Sequence, residues 1–395
     1  MQGIRSLKHP RERSARNLLA GGTTAALAAM ALPAGAQGTG AERLPEIRVR
    51  AESAGSVKVD EAPSPKFTAP LLDTPKSVTV IPNEVMRQIN ATSMTEALRT
   101  TPGITFGAGE GGNPVADRPF LRGYDAQSST YVDGLRDIAP STREVFNIES
   151  IEVVKGAASA YGGRGGAGGS INLTTKTPKR DRFTNGSIGL GTDSYKRATV
   201  DGNWAFGDSG AFRLTAMAHD ADVPGRDGPT NQRWGIAPSV AVGLGTPTRV
   251  VASYFHMRSD DIPDGGIPYD LPASFPRSGM VELQPNTGGN RNHWYGLLGR
   301  DFRKEKGDMG TLLVEHDISS NLRVRNITRL TDSSLDYIWT QPDDSQGNVR
   351  NGLVWRRQNS TLRDIRTVAN NSELSGEAVA AGYKHRSTPA VKRCL

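Results

Sequence analysis

The chain has 395 residues, 36% of them hydrophobic, and a formal net charge of +7. This charge lies at the two ends, because residues 1–36 and 383–395 each carry +4 and residues 37–382 carry −1. Binding of a nucleic acid needs clustered positive charge on the folded part of a protein, so a nucleic-acid partner is excluded. The single cysteine, Cys394, excludes an internal disulfide and a thiolate metal site.

The first 36 residues contain the three parts of a secretory signal peptide in order. A basic region ending at Arg16 precedes an apolar stretch at residues 18–32, and Ala34 and Ala36 form the small-residue cleavage pattern. A surface helix with a basic end is the alternative. We expect the mature chain to begin near Gln37 after general secretion, because the sequence lacks a twin-arginine pair.

Residues 37–69 are predicted to form a loose linker, because they are rich in small, proline and charged residues and poor in apolar ones. Within them, Ile47 and Val49 alternate with charged residues as in a short strand. Such a peptide can add to the open sheet edge of another protein through main-chain hydrogen bonds. On spacing alone, a linker with accidental alternation is the better explanation.

Residues 70–180 are predicted to form a small α/β domain. Ser93 and Glu96 form a capping box for a helix that ends before Pro102. Asp133 and Gly134 form a tight hairpin turn. The predicted strands are residues 77–81, 130–132, 135–136, 150–155 and 169–175.

A glycine run at residues 163–168 matches the G-x-G-x-x-G pattern of dinucleotide-binding sites. Such a site needs a helix after the glycines, but residues 170–175 alternate as in a strand. We therefore expect these glycines to let the backbone pass through a crowded space. Two polar loops, residues 107–113 and 124–129, are candidates for ligand binding, although any surface loop has this composition.

From residue 181 the sequence alternates in segments of about ten residues, the length of a tilted transmembrane strand. Tight connections alternate with long ones at residues 221–232, 259–306 and 336–361, as in a barrel with short turns at one rim. A soluble β-sandwich is the alternative. Eight strands are predicted, at residues 183–191, 194–206, 210–220, 233–243, 248–258, 307–317, 322–335 and 362–380.

Several stretches resemble the TonB-dependent outer-membrane siderophore receptors. Residues 118–124 are similar to the arginine–glycine motif of that family's plug domain, residues 131–137 to the hairpin that follows, and residues 146–178 to the end of the plug. The segments 103–119 and 123–137 are similar to the catecholate siderophore receptor subgroup. The resemblance implies an N-terminal α/β plug domain at residues 70–180, followed by antiparallel transmembrane β-barrel strands at residues 181–382 in the bacterial outer membrane.

The family's barrel has about 22 strands, of which this chain is expected to supply about the first eight. Residues 383–395 do not resemble the family, so we expect a truncated barrel followed by a non-family tail. Its two unpaired edges would be unfavourable in the membrane, and a non-functional receptor fragment is therefore one alternative. A siderophore-sensing signalling receptor is a weaker one, because it needs a further folded domain for which residues 37–43 leave no space.

The resemblance implies import of a ferric siderophore rather than catalysis, and no cofactor, because the siderophore carries the iron. The sequence has no metal-spaced histidine cluster and no Gly-x-Ser-x-Gly elbow. The implied partners are the siderophore, TonB with its inner-membrane motor complex, and outer-membrane lipid. The TonB box, in a periplasmic linker, is expected at Leu44, Pro45, Glu46, Ile47, Arg48, Val49, Arg50 and Ala51.

A catecholate complex is anionic and aromatic, so arginine, tyrosine and tryptophan are suitable contacts. The candidate ligand-binding residues are Glu110, Asn113, Tyr124, Gln127 and Arg143 on plug loops, and Trp294 and Tyr295 on the long barrel loop. For each of them a plain surface role is equally consistent. Arg118 and Arg122 are instead expected to anchor the plug to carboxylates of the barrel.

Overall fold

The computed structural model describes residues 57–64, 66–67, 69–109, 115–157, 166–268, 291–343, 349–350, 353–380, 383–387 and 390–394. All of them belong to one compact unit, Ser53–Leu395. The predicted signal peptide and TonB box lie outside the described residues. No helix in the described part of the chain is long and apolar enough to cross a membrane.

The plug is a small mixed domain with two short helices, α1 (Asn83–Gln88) and α2 (Met94–Leu98). Its strands are β1 (Ser77–Pro82), β2 (Ile104–Phe106), β3 (Pro119–Leu121), β4 (Tyr124–Asp125), β5 (Thr130–Val132), β6 (Leu135–Arg136), β7 (Ile148–Lys155) and β8 (Gly169–Thr175). The sequence did not predict the helix α1, which directly follows Pro82, or the short strands β2, β3 and β4.

One sheet of the plug has the strand order β1-β7-β8-β5-β6, in which only the pairing of β5 with β8 is parallel. Its core face packs against the helices, and Met94, Leu98, Ile151 and Ile171 there are almost fully buried. The Ser93 hydroxyl accepts a hydrogen bond from the Glu96 amide, as the capping box predicted.

The barrel part begins with seven strands that pair in chain order. They are β9 (Phe183–Leu190), β10 (Lys196–Phe206), β11 (Gly210–Asp222), β12 (Thr230–Val242), β13 (Thr248–Asp261), β14 (Phe302–Ser319) and β15 (Leu322–Pro342). A separate two-stranded ribbon follows, β16 (Val349–Arg350) and β17 (Leu353–Val354). The eighth long strand is β18 (Arg356–Ala380), which pairs with β15.

All eight predicted barrel strands are therefore confirmed. The main differences are at the ends away from the tight turns, where β14 starts five residues earlier than predicted and β15 extends beyond residue 335. The alternation continues there with charged side chains, since Arg303 and Glu305 are buried while Lys304 and Lys306 are exposed. A pattern based on apolar residues alone misses such positions.

Two short strands lie in the tail that was expected to differ from the barrel, β19 (Tyr383–Ser387) and β20 (Ala390–Cys394). Both pair with β18. Within the described residues the sheet is open, because its strand order begins at β9, whose one neighbour is β10. The inner face of this curved sheet packs against the plug through small apolar clusters such as Phe146 with Met217 and Met257.

Candidate site between the plug and the inner barrel wall

Glu144, in the plug loop before β7, is the centre of a buried ionic contact with the barrel. Its side chain is fully buried and receives two hydrogen bonds from Arg197 of β10, at 3.1 and 2.7 Å. Arg233 of β12 donates to the same carboxylate. A bidentate arginine–carboxylate pair adds geometric specificity to the attraction of the charges, so this contact fixes the plug loop at one position along the barrel strands.

The charge state of Glu144 follows from these partners. Burial opposes ionisation of the carboxyl, but the attraction of Arg233 and the hydrogen bonds from Arg197 outweigh it and lower the pKa of Glu144. Arg233 also donates to the hydroxyl of Thr92, just before α2, at 3.3 Å. The ionised carboxylate thus connects two barrel strands with two segments of the plug.

A second contact joins the plug loop to β14. The Arg303 guanidinium donates to the Thr142 hydroxyl at 2.8 Å and to the Val115 carbonyl at 3.0 Å. The Thr142 amide in turn donates to the carboxylate of Glu305, two positions along β14. Arg303 forms its ion pairs with Asp261 of β13, at 2.9 Å, and with Glu305, so the direct contacts of the plug here are hydrogen bonds.

A third contact holds the hairpin between β5 and β6. Arg329 of β15 donates to the Val132 carbonyl at 2.9 Å and to the Asp133 carboxylate at 2.6 Å. Asp133 has a positive φ of 52° and also accepts a hydrogen bond from the Thr175 amide at 2.8 Å. The predicted Asp-Gly turn is therefore both a turn and a docking point.

A fourth contact lies where the plug continues into the barrel. Lys176 pairs with Asp201 of β10 at 3.0 Å, and Arg213 of β11 pairs with the same carboxylate at 2.8 Å. Arg213 also donates to the Thr177 carbonyl at 2.9 Å. This group ties the first strands to the end of β8.

Arg143 was predicted to bind a ligand, but the structure places it inside the plug loops. Its side chain is 9% exposed, and the guanidinium pairs with Asp137 at 2.9 Å and Asp117 at 3.5 Å. The Asp117 carboxylate also accepts the Arg143 amide at 2.8 Å. In this conformation Arg143 joins two loops, and its role in ligand binding stays a prediction.

Tyr124 and Gln127 lie on the predicted loop. The Tyr124 side chain is 57% exposed, which suits a contact with an incoming molecule. Gln127 is half-buried, because its amide donates to Asp125 at 2.9 Å and its side chain to the Asp117 carbonyl at 3.4 Å. The other two candidates on the plug loops, Glu110 and Asn113, lie outside the described residues.

Trp294 and Tyr295 lie on the connection between β13 and β14. The Trp294 indole N–H donates to the Pro263 carbonyl at 3.2 Å, and its ring covers Gly228, where an added Cβ would come within 2.5 Å. Nearby, Arg226 forms a bidentate pair with Asp264 at 2.9 and 3.0 Å. Trp294 thus helps to order the connections, while Tyr295 is half-buried beside it.

Arg118 and Arg122 were predicted to anchor the plug to barrel carboxylates. In the structure Arg118 forms its ion pair within the plug, with Asp125 at 3.1 Å, and lies over the Phe120 ring. Arg122 is exposed, has a positive φ of 50° and forms no ion pair among the described residues. Glu144 and Asp133 of the plug pair with barrel arginines, whereas Lys176 of the plug pairs with Asp201 of the barrel. Anchoring by Arg118 and Arg122 stays a prediction.

The sequence did not predict the contact residues Glu144, Thr142, Arg197, Arg303 and Arg329. The available signal was a set of arginines at alternate positions of otherwise ordinary strands, since Arg323, Arg325 and Arg329 share one face of β15. Charged residues on the face opposite to the lipid-exposed one are expected to meet polar partners inside a barrel.

The loops and the wall also line a cavity of about 80 Å³. Its apolar lining includes Phe255, Met257 and Met309, and Arg143, Glu144 and Glu305 contribute charged groups. Among the described residues no group of three or more His, Cys, Asp or Glu side chains is arranged to hold a metal ion.

A small α/β domain held by polar contacts against the inner face of long antiparallel strands defines the class of plugged outer-membrane receptors. Residues 70–170 match the model of the family described as TonB-dependent Receptor Plug Domain. The chain belongs to the TonB-dependent receptors, and this family places it in the bacterial outer membrane.

The chain is 43% identical to the probable TonB-dependent siderophore receptor PiuA of Acinetobacter baumannii, over 95% of this chain and 50% of the relative. It is 35% identical to the catecholate siderophore receptor Fiu of Escherichia coli K12, over 84% of this chain and 45% of the relative. The chain thus spans about half the length of these curated relatives, which are receptors and not enzymes.

The fold agrees with solved structures of the same proteins. The crystal structure of PiuA superposes with a TM-score of 0.80, covering 86% of this chain and 48% of that one. The closed form of Fiu gives 0.77, covering 85% and 49%. The predicted order of plug and barrel strands is confirmed.

Proposed function

We propose that this chain forms the plug and first barrel strands of a receptor that imports ferric siderophores of the catecholate type. The identity of 43% with PiuA over 95% of the chain carries this proposal. The similarity to Fiu, a catecholate siderophore receptor by name, supports the substrate class. The siderophore supplies the ligands of the iron, so the receptor needs no metal site or cofactor of its own.

The external face of the plug would receive the complex. Tyr124 offers an exposed ring for stacking. The other predicted contacts follow from the sequence, which places Glu110, Asn113 and Gln127 on plug loops and Trp294 and Tyr295 on the long barrel loop. An anionic, aromatic complex is best held by aromatic rings and cationic groups. Binding there would act on the loop that carries Arg143 and Glu144, because Arg143 connects Asp117 to Asp137.

Energy would come from TonB pairing as an added strand with residues 44–51. A pull on this segment reaches the plug through residues 57–67, where the Ser64 amide donates to Glu152 of β7 at 3.3 Å. The plug would then move against the wall by breaking hydrogen bonds such as those of Arg329 and Arg303.

The substrate is tested with a hybrid receptor in which residues 1–376 are followed by the C-terminal half of PiuA. A receptor-deficient strain carrying it should grow under iron limitation when fed the iron complex of a catecholate, and poorly with the hydroxamate ferrichrome. Growth on the hydroxamate alone would reject the substrate class. The variant Tyr124→Ala should weaken growth on the catecholate, whereas the control Tyr254→Ala, on the outer barrel face, should not.

The TonB box is tested separately in the same hybrid. Ile47→Pro or Val49→Pro removes an N–H donor from the added strand and should abolish uptake while ligand binding to whole cells persists. The matched control is a proline replacement at Ser56, outside the box. Normal uptake by the Ile47 and Val49 variants would reject residues 44–51 as the TonB-binding segment.

A further inference from the structure

Glu152 lies on the face of the plug sheet that points away from the helices. In β7 the side chains of Ile151 and Val153 point into the core and are fully buried, so Glu152 between them points to the opposite side. This second face is also covered at that position, since Glu152 is 3% exposed. A carboxyl in such a place needs partners or a proton, because burial opposes its charge.

The strands on either side of Glu152 place uncharged side chains beside it. Directly opposite it are Val80 of β1 and Asn172 of β8, whose amide oxygen accepts a hydrogen bond from the turn between β5 and β6. Tyr131 of β5 and Arg136 of β6 continue the same row, two and three strands away from β7. The adjacent strands therefore give the carboxyl no directly opposed counter-charge.

The partners of the carboxyl come from residues 57–67, which we call the strap. The Ser64 amide donates to the Glu152 carboxyl at 3.3 Å, and Lys66 acts on the same group through its charge. Ser64 also begins a turn, because its carbonyl accepts a hydrogen bond from the Phe67 amide at 3.1 Å. One turn of the strap thus presents an N–H donor and a cation to the buried carboxyl.

Burial outweighs these two partners. It raises the pKa of the Glu152 carboxyl, whereas the Ser64 hydrogen bond and the charge of Lys66 lower this pKa by less. When the strap leaves, water reaches the carboxyl and its charged form becomes favourable. A proton that is bound with the strap closed and lost with the strap open stabilises the closed state, and this stabilisation decreases as the pH rises.

We propose that Glu152 and the strap form a proton-dependent latch, in which the protonated carboxyl keeps residues 57–67 on the plug and gives its proton to water when they leave. The strap lies between the predicted TonB box and β1, so a pull on the box reaches the latch before it reaches the sheet. Release of the strap then needs less work at alkaline pH than at acid pH.

The consequence of the latch for import rests on the proposed function, whereas the latch itself does not. Failure of the hybrid receptor to support growth, together with the expected behaviour of the strap, would reject the function and leave the latch in place. The latch is therefore tested on the purified chain, apart from uptake.

The test follows amide hydrogen exchange of the strap in the purified 395-residue chain, in detergent, between pH 5 and pH 8. Each rate is divided by the rate of a free peptide with the sequence of residues 57–67 at the same pH, which removes the effect of pH on exchange itself. The fraction of open strap should rise at least about tenfold over this range, since a difference of one pKa unit corresponds to a factor of about ten. A constant fraction would overturn the proposal.

Three variants separate the latch from a merely structural role of Glu152. Glu152→Gln is neutral at every pH, so its strap should stay as closed at pH 8 as at pH 5. The matched control Glu61→Gln removes an exposed carboxylate of the strap and should keep the pH profile of the parent chain. Lys66→Met removes the cation that favours the charged carboxyl, so opening should continue to increase up to a higher pH than in the parent chain.

Lys66→Met changes a strap residue outside the core of the plug, so it tests the latch even if Glu152→Gln does not fold. A Glu152→Gln profile that rises with pH like that of the parent chain would overturn the proposal. A Lys66→Met profile identical to that of the parent chain would overturn it as well.

Discussion

Glu144 of the plug and Arg197 of β10 form a bidentate ion pair, with hydrogen bonds of 3.1 and 2.7 Å, that excludes water from the Glu144 side chain. Replacement of one partner leaves the other charges buried without compensation, at a cost of about 3–5 kcal/mol. We therefore expect Glu144→Gln to release the plug loop, measured as faster amide hydrogen exchange at residues 142–148. The control Glu84→Gln breaks an exposed pair with Arg87 on α1 and should leave exchange at residues 142–148 unchanged.

Arg329 donates hydrogen bonds to two groups of the hairpin turn, the Val132 carbonyl and the Asp133 carboxylate. Arg329 uses two separate nitrogens, Nη1 and Nη2, for these contacts, and a lysine has one nitrogen on a shorter side chain, so Arg329→Lys should destabilise the docked hairpin by about 1–3 kcal/mol. Amide exchange at residues 130–136 reports this loss. Arg366→Lys changes an exposed pair on the outer face and should leave exchange at the hairpin as in the parent chain.

Gly169 and Gly134 both have a positive φ, of 138° and 80°, but their surroundings differ. A Cβ at Gly169 would lie 2.0 Å from the Val154 carbonyl oxygen, whereas nothing lies within 4 Å of one at Gly134. Gly134→Ala should therefore cost only the backbone strain, about 1–2 kcal/mol. Gly169→Ala adds a clash with β7 and should cost more by at least about 1 kcal/mol. The two variants are compared by urea unfolding, with protease cleavage of the plug as the readout. Equal urea midpoints would contradict the expected crowding at Gly169.

Glu152 is buried in β7, where burial raises the pKa of its carboxyl to about 7 despite the hydrogen bond from the Ser64 amide. The folded plug thus binds a proton that the unfolded chain releases at its ordinary, lower pKa. The stability that this proton contributes is present in acid and is lost as the pH rises from about 4.5 to about 7.

Plug stability should therefore decrease between these pH values, by at most about 3 kcal/mol. Glu152→Gln, which is uncharged at every pH, should be more stable than the parent chain at pH 8 and should lose this part of the pH dependence. Pulse proteolysis in urea at pH 5 and pH 8 measures both effects. Parallel pH profiles of parent and variant would show that Glu152 does not titrate in this range.

Local sequence patterns predicted those strands and turns whose signal lies within a few neighbouring residues. The strand at Gly169–Thr175 and the hairpin around Asp133 were predicted with their observed bounds, because β alternation and the Asp-Gly turn are local signals. The glycine run was also interpreted correctly for its described part, since a Cβ at Gly168 would lie 2.1 Å from the Leu121 carbonyl oxygen.

The contacts between plug and wall could not be predicted in the same way. Glu144 lies 53 residues before Arg197 and 89 before Arg233, and no spacing rule connects a loop carboxylate to a strand so far along the chain. The sequence likewise gives no sign that Arg143, one position before Glu144, pairs with Asp117 and Asp137.

The arginines of the inner wall have a second consequence once the plug loop moves. Glu144 and Asp133 would leave with the plug, whereas Arg197, Arg233 and Arg329 stay on their strands. The passage that opens would then be electropositive, and its field would draw anions inward and repel cations. Under the proposed transport function, the arginines that hold the plug in place would thus also favour the passage of anions.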